Sequence, residues 1–243
     1  MTIDANGVHY REVNERIHAA LNDGPDSLTI RNVRGQRYIG VGIGNGARLT
    51  VCGVPGNDLG AFMNGAEIIV RGNAQDGVGN TMNAGRIVIH GDAGDVVGYA
   101  MRGGKIFVRG NVGYRIGIHM KAYGENFPVI VVGGTAKDYA GEYMAGGVLV
   151  LLNSGSPNSA PAGDYLGTGM HGGVIYARGR VEACQLGKEV GEDALDESDW
   201  AMLKSLLAEY RREFGVDVSQ FRRDDFVRLT PRSARPYGRL YAY

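Results

Sequence analysis

Apolar and polar residues alternate in short runs through the middle of the chain, and the runs recur at a fixed step. Leu49, Ile68, Ile87, Ile106, Ile130, Leu149 and Ile175 form one series. Val51, Val70, Ile89, Val108, Val132, Leu151 and Ala177 form a second, two places further on. Residues two apart on an extended chain share a face. Both series therefore predict strands with a common inner side. Met63, Met82, Met101 and Met120 stand nineteen residues apart, and the series continues at Met144 and Met170 after insertions of five and seven residues. Gly60, Gly79, Gly98 and Gly117 keep the same step three places earlier, as do Gly53, Gly72, Gly91 and Gly110. Gly40 and Ile43 begin the pattern in weaker form.

A period near twenty with glycine punctuation is the mark of a solenoid. The alternation within each unit makes its segments strands. The prediction is an all-β fold: a right-handed parallel β-helix of about seven coils, with N-terminal and C-terminal helical caps. Its handedness follows the usual crossover rule. The two aliphatic series and the unbranched methionines fill its inside. Leucine-rich and calcium-binding nonapeptide repeats need other spacings, and no six-residue step is present.

The flanks read differently. In 13–21, Val13, Ile17, Ala20 and Leu21 form one helical stripe, ended by Asn22, Asp23, Gly24 and Pro25. In 196–214, Leu203, Leu206, Leu207, Tyr210 and Phe214 form an apolar helix face. Acidic residues crowd its start, Arg211 and Arg212 lie near its end, and Gly215 stops it. The expected organisation is an N-terminal helical cap over 1–27, a glycine-rich parallel β-helix over 28–187, and a C-terminal helix with a basic, aromatic tail over 188–243. That last segment is expected to cover the final coil or reach a neighbour.

Composition narrows the function. Glycine, 40 of 243 residues, is more than twice the usual ~7%. There is no three-residue glycine period, and β-branched residues are plentiful, so collagen and disorder are excluded. Formal charge cancels at 26 basic against 26 acidic residues. That balance argues against nucleic acid or an anionic membrane as partner. No apolar run approaches the roughly 18 residues of a membrane span, and the start lacks a signal-peptide pattern. The expected location is cytoplasmic. Cys52 and Cys184 are too few for a disulfide scaffold, a four-thiolate zinc site or an iron–sulfur cluster, and read as two partly buried free thiols.

Few residues offer chemistry. Thr2, exposed by removal of Met1, reads as an ordinary processed terminus rather than an N-terminal nucleophile. His119 and His171 flank the methionine column on opposite sides. With Glu142 they could rim a metal or acid–base site, but residues so far apart in sequence form no ligand motif and read first as surface contacts. The residues after the methionines, Asn64, Asn83, Arg102, Lys121, Ala145 and His171, form a polar stripe along the solenoid, suited to docking. The tail adds Arg222, Arg223, Arg228, Arg232, Arg235 and Arg239 among Phe221, Phe226, Tyr237 and Tyr241. Arg and aromatic residues are enriched at interfaces, whereas Asp224 and Asp225 dilute any nucleic-acid arm. The docking candidates are Asn64, Asn83, Arg102, Lys121, His119, Glu142, His171, Arg235 and Tyr237. No phosphate-binding G-x-x-x-x-G-K-[S/T] exists, so the glycines read as turns.

The phrases GNDLGAFMNG (56–65), GNTMNAG (79–85), GYAMRGG (98–104), GIHMKAYGE (117–125), GEYMAGG (141–147) and GTGMHGG (167–173) resemble the glycine-rich β-helix domain of glutamate synthase, the GXGXG domain. RPYGRLYAY (235–243) is similar to the ending of its stand-alone archaeal-type form. The resemblance runs in order from residue 28 to residue 243. The related subunit of formylmethanofuran dehydrogenase is similar in its repeats. The resemblance implies a non-catalytic structural subunit that positions a glutaminase subunit against an FMN and iron–sulfur synthase subunit and shapes the ammonia route. It implies no cofactor on this chain, with FMN and the iron–sulfur cluster in partners, and homo-oligomerisation stays open. Two alternatives remain: the scaffold of a formylmethanofuran dehydrogenase-like complex, and a polysaccharide-active β-helix enzyme, against which the missing signal pattern counts.

Overall fold

The computed structural model describes residues 1–23, 27–44, 46–155 and 159–232. In chain order its elements are β1 (Thr2–Asp4), α1 (Tyr10–Asp23), β2 (Ser27–Arg34), β3 (Arg48–Val54), β4 (Asn64–Val70), β5 (Ala84–Ile89), β6 (Lys105–Val108), β7 (Val129–Val132), β8 (Ala145–Leu151), β9 (Gly172–Arg178), β10 (Val190–Asp193), α2 (Glu197–Phe214) and β11 (Phe226–Pro231). The strands form one sheet in the order β1-β2-β3-β4-β5-β6-β7-β8-β9-β11-β10. Pairing is parallel from β1 to β9 and antiparallel at β9, β11 and β10. Sequential strands that stack in parallel with no helix between them make a β-solenoid.

Register follows the hydrophobic period. Leu49 lies opposite Ile68, Ile68 opposite Ile87, Ile87 opposite Ile106, and the line runs on through Ile130 and Leu149 to Ile175. The second series, from Val51 to Ala177, stacks likewise. Both series and all six repeat methionines are wholly buried in one continuous core. A slip of one residue would turn every aliphatic outward, so burial pins the register.

The glycine before each methionine is explained by what it faces. At Gly98 the backbone is left-handed, φ 70°, and an added Cβ would lie 2.4 Å from Ile130 Cδ1. An L side chain there is both strained and in collision. The opposite corner carries polar ladders. Asn73 Oδ1 accepts the Asp92 N–H at 2.9 Å, Asp92 Oδ1 the Asn111 N–H at 2.7 Å, and Asn111 Oδ1 the Thr135 N–H at 2.9 Å. A parallel ladder runs from Asp76 to the Asp95 N–H and from Asp95 to the Tyr114 N–H, at 2.9 and 2.8 Å. Each corner residue thus satisfies the amide of the next coil, as buried or turning backbone requires.

The two ends close by different means. Helix α1 puts Val13 and Ile17 into the solenoid core, with Ala20 and Leu21 packed against it. Strand β1 extends the sheet at this end, a strand the helical reading of 1–27 lacks. At the other end, β11 turns antiparallel along β9, and Leu229 and Val190 join the core.

Helix α2 takes a place the repeat does not foretell. It lies on the outer face of the sheet instead of over the last coil, its Leu203, Leu206, Leu207 and Tyr210 packed with Phe107, Val131, Val150 and Tyr176. Asp196 caps it, accepting the Asp199 N–H at 2.8 Å, and Gly215 ends it in a left-handed conformation, φ 65°. The cause lies in the outer column: Thr50, Ile69, Val88, Phe107, Val131, Val150 and Tyr176 change from polar to apolar along the solenoid. Strands buried on both faces read as continuous apolar runs, as VIVV in β7 and VLVL in β8 do. Lys105 Nζ meets Glu209 at 2.5 Å and Arg86 meets Glu213 at 3.0 Å along the seam. The Tyr210 hydroxyl donates to the Arg109 carbonyl at 3.0 Å, and burial raises its pKa to about 12.

Candidate docking surface

Four of the stripe residues come together. Asn64, Asn83, Arg102 and Lys121 line one groove of about 440 Å³ with Ala84, Tyr123 and Asn126. The solenoid holds their main chain firmly. The Asn83 N–H donates to the Met63 carbonyl at 2.9 Å, that of Arg102 to Met82 at 2.8 Å, and that of Lys121 to Met101 at 2.9 Å. Because each methionine points into the core, its neighbour points out. The side chains therefore stand in file, one coil apart.

The groove wall comes from the five-residue insertion between Met120 and Met144. There Tyr123 and Asn126 exchange main-chain hydrogen bonds, 2.8 and 3.1 Å long, closing a turn beside the stripe. Sequence reasoning misses both residues. The signal that could have found them is the broken nineteen-residue step, since insertions in a repeat map to loops on one face. Neither Arg102 nor Lys121 forms an ion pair with any described residue, and no lining residue is a carboxylate.

His119 and Glu142 belong to a different strip. The His119 ring stacks on Tyr143 at 5.4 Å and meets the edge of Tyr99 at 6.0 Å. Glu142 is buried and its carboxylate is taken by Arg115. Arg115 also lies 4.4 Å over the Tyr139 ring, which stacks on Tyr165 at 4.8 Å. These rings stack on one another while Tyr99, Tyr143 and Tyr165 stay partly exposed, which suits a stabilising ladder with an Arg- and Tyr-rich rim. His171 is half-buried, its Nδ1 3.3 Å from the Gly169 carbonyl. No contact brings it to His119 or Glu142, so the three do not form the polar rim considered from the sequence. Among the described residues no cluster of three or more His, Cys, Asp or Glu could hold a metal.

The described part of the tail, up to residue 232, packs within the fold. Phe221 and Phe226 are buried beneath α2. Arg223 pairs with Glu197, Arg228 with Asp193 and Asp199, and Arg232 with Asp193. These groups serve the fold, because α2 and the β10–β11 pair need internal partners. Arg235 and Tyr237 lie outside the described residues. Cys52 is partly buried as expected, but Cys184 is exposed, on a short 3-10 turn that buries no side chain. No helix of the described residues is long and apolar enough to cross a membrane.

The chain is 46% identical over 250 residues to an uncharacterized protein of Methanocaldococcus jannaschii, with 99% of this chain and 96% of the relative aligned. The GXGXG motif family model matches residues 27–233, a span that takes in β2 to β11 and every repeat described above. The chain belongs to the GXGXG motif family.

Proposed function

We propose that this protein is a non-catalytic structural subunit of a glutamate-synthase-type amidotransferase complex. It sets a glutaminase subunit against an FMN and iron–sulfur synthase subunit. The single observation that carries this reading is the family match over 27–233, which takes in the parallel strands, helix α2 and the β10–β11 edge. The interior supports it: aliphatic and methionine columns fill the core from end to end. An ammonia route shaped by this protein would therefore run over its outside, between it and its partners. What the solenoid offers a complex is a stiff, patterned exterior, the usual asset of repeat proteins.

The test is affinity purification of the tagged full-length chain from its native cell at low ionic strength. Recovery of a glutaminase and a flavin- and iron–sulfur-containing synthase is the expected outcome. The chain purified alone is expected to neither hydrolyse glutamine nor retain FMN. Turnover by the isolated chain, or recovery of formylmethanofuran dehydrogenase subunits in place of those partners, would refute it.

A further inference from the structure

We infer that the groove along Asn64, Asn83, Arg102 and Lys121 receives an acidic, extended segment of a partner polypeptide. The inference rests on the scaffold reading and adds which surface docks and what chemistry it takes.

Charge selects the occupant. Arg102 and Lys121 stand one coil apart with no carboxylate among the groove's residues, although acidic and basic residues are equal in number over the chain. Some other solenoid cations are neutralised within the fold, Arg115 by Glu142, Arg48 by Glu67 and Lys105 by Glu209; Arg71, Arg109 and Lys137 form no ion pair among the described residues, and what sets Arg102 and Lys121 apart is that they share one groove. Two like charges held side by side by the solenoid repel until a negative group arrives. Guanidinium and ammonium groups both meet carboxylates, the first in bidentate fashion.

Shape selects an extended chain over an engulfed small molecule. Sites for small ligands enclose most of the ligand's surface. Here Asn64, Asn83, Arg102, Lys121, Tyr123 and Asn126 are all exposed, so the groove is a trough. Coil spacing follows strand spacing, about 4.8 Å, so its four stripe residues span roughly 14 Å, the length of about four extended residues. The amides of Asn64, Asn83 and Asn126 each donate and accept, which matches the alternating groups of an extended backbone. Tyr123, 78% exposed, adds a ring at the wall, of the kind that anchors interfaces.

The probe is a fluorescein-labelled decapeptide of alternating Glu and Ala, titrated with full-length protein and read by fluorescence anisotropy at about 50 mM salt, where charge contacts are weakly screened. Saturable binding that weakens at least tenfold in the Arg102→Glu/Lys121→Glu double variant, but not in the surface control Lys204→Glu, is the expected result. Circular dichroism identifies any variant that fails to fold, and Lys121→Gln alone, with a smaller loss, then carries the test. The inference is overturned by peptide binding unchanged in the double variant, by no binding to the peptide, or by citrate or phosphate binding more tightly than the peptide. Failure is separable from that of the scaffold reading. If native partners co-purify with wild type and equally with the double variant, the groove is wrong and the scaffold stands. If none co-purifies with wild type, the scaffold reading falls while the peptide titration still judges the groove.

Discussion

The repeat glycines are most sharply tested by comparing two of them. Gly98 and Gly117 are equivalent positions on successive coils, with φ of 70° and 67°. They differ in what faces them. A Cβ on Gly98 would come within 2.4 Å of Ile130 Cδ1, whereas on Gly117 the same atom is 3.8 Å away, an ordinary contact. Alanine at either site meets the left-handed penalty, about 1–2 kcal/mol, partly offset by about 0.4–1 kcal/mol from a less flexible unfolded chain. Only Gly98→Ala adds overpacking, about 1–3 kcal/mol. Ile130→Val removes Cδ1 at its own cost of about 0.5–1.5 kcal/mol. Gly98→Ala should then cost less in the Ile130→Val background, with a coupling of about 1–2 kcal/mol, while Gly117→Ala and Ile130→Val should add to within about 0.5 kcal/mol. Guanidinium unfolding followed by far-UV circular dichroism measures all six species, with m-values checked for constancy because repeat arrays can unfold in parts. Equal costs at the two glycines with no coupling to Ile130 would show that backbone conformation alone selects glycine, and the packing account would be refuted.

Asp92→Ala removes the acceptor of the Asn111 N–H and should cost about 1 kcal/mol in chemical denaturation, whereas Asp92→Asn keeps an acceptor and should lose less; identical losses would argue against the ladder. The buried Tyr176 hydroxyl donates to Asp199 at 2.5 Å, and burial together with that carboxylate raises its pKa far above the usual phenol value. Tyr176→Phe should cost about 1–3 kcal/mol and speed amide exchange in α2 ahead of the core strands. Leu207→Ala empties part of the α2 seam and should cost about 2–5 kcal/mol, with α2 losing protection while the parallel rungs keep theirs. Burial, then Arg71 and Arg109, lowers the His90 pKa below its ordinary 6.5, and its Nε2 lies 2.8 Å from Arg71. The folded state prefers neutral His90, so the unfolded state binds more protons just below pH 6.5. This contribution is full above 6.5 and is lost as pH falls through the folded pKa; His90→Gln should flatten that part of the stability profile, and an unchanged slope would contradict it.

Most of the solenoid is legible in the sequence because its contacts repeat. When each coil touches only its neighbours, the sequence period is itself the contact map. Lining up the methionines therefore recovers the core columns, the register and the file of residues at Asn64, Asn83, Arg102 and Lys121. The polar ladders are equally periodic, at Asn73, Asp92 and Asn111, yet a short polar side chain beside glycine reads first as a plain turn residue. The glycines there are small for a reason: a Cβ on Gly113 would lie 1.9 Å from Asp95 Oδ1.

What the amino-acid order determined by itself was the local and the repeated: strands, turns, the two helices and the plugged interior. Only the tertiary structure decided where the non-periodic segments settle. Helix α2 reaches Arg109 from Tyr210 and Lys105 from Glu209, separations of 101 and 104 residues, and no period encodes such a contact. The same holds for the groove, whose file was readable but whose wall at Tyr123 and Asn126 and lack of a counter-ion were not. Charge pairing depends on which side chains meet in space, and for segments outside the repeat that is fixed by burial of an apolar face against whatever face remains uncovered.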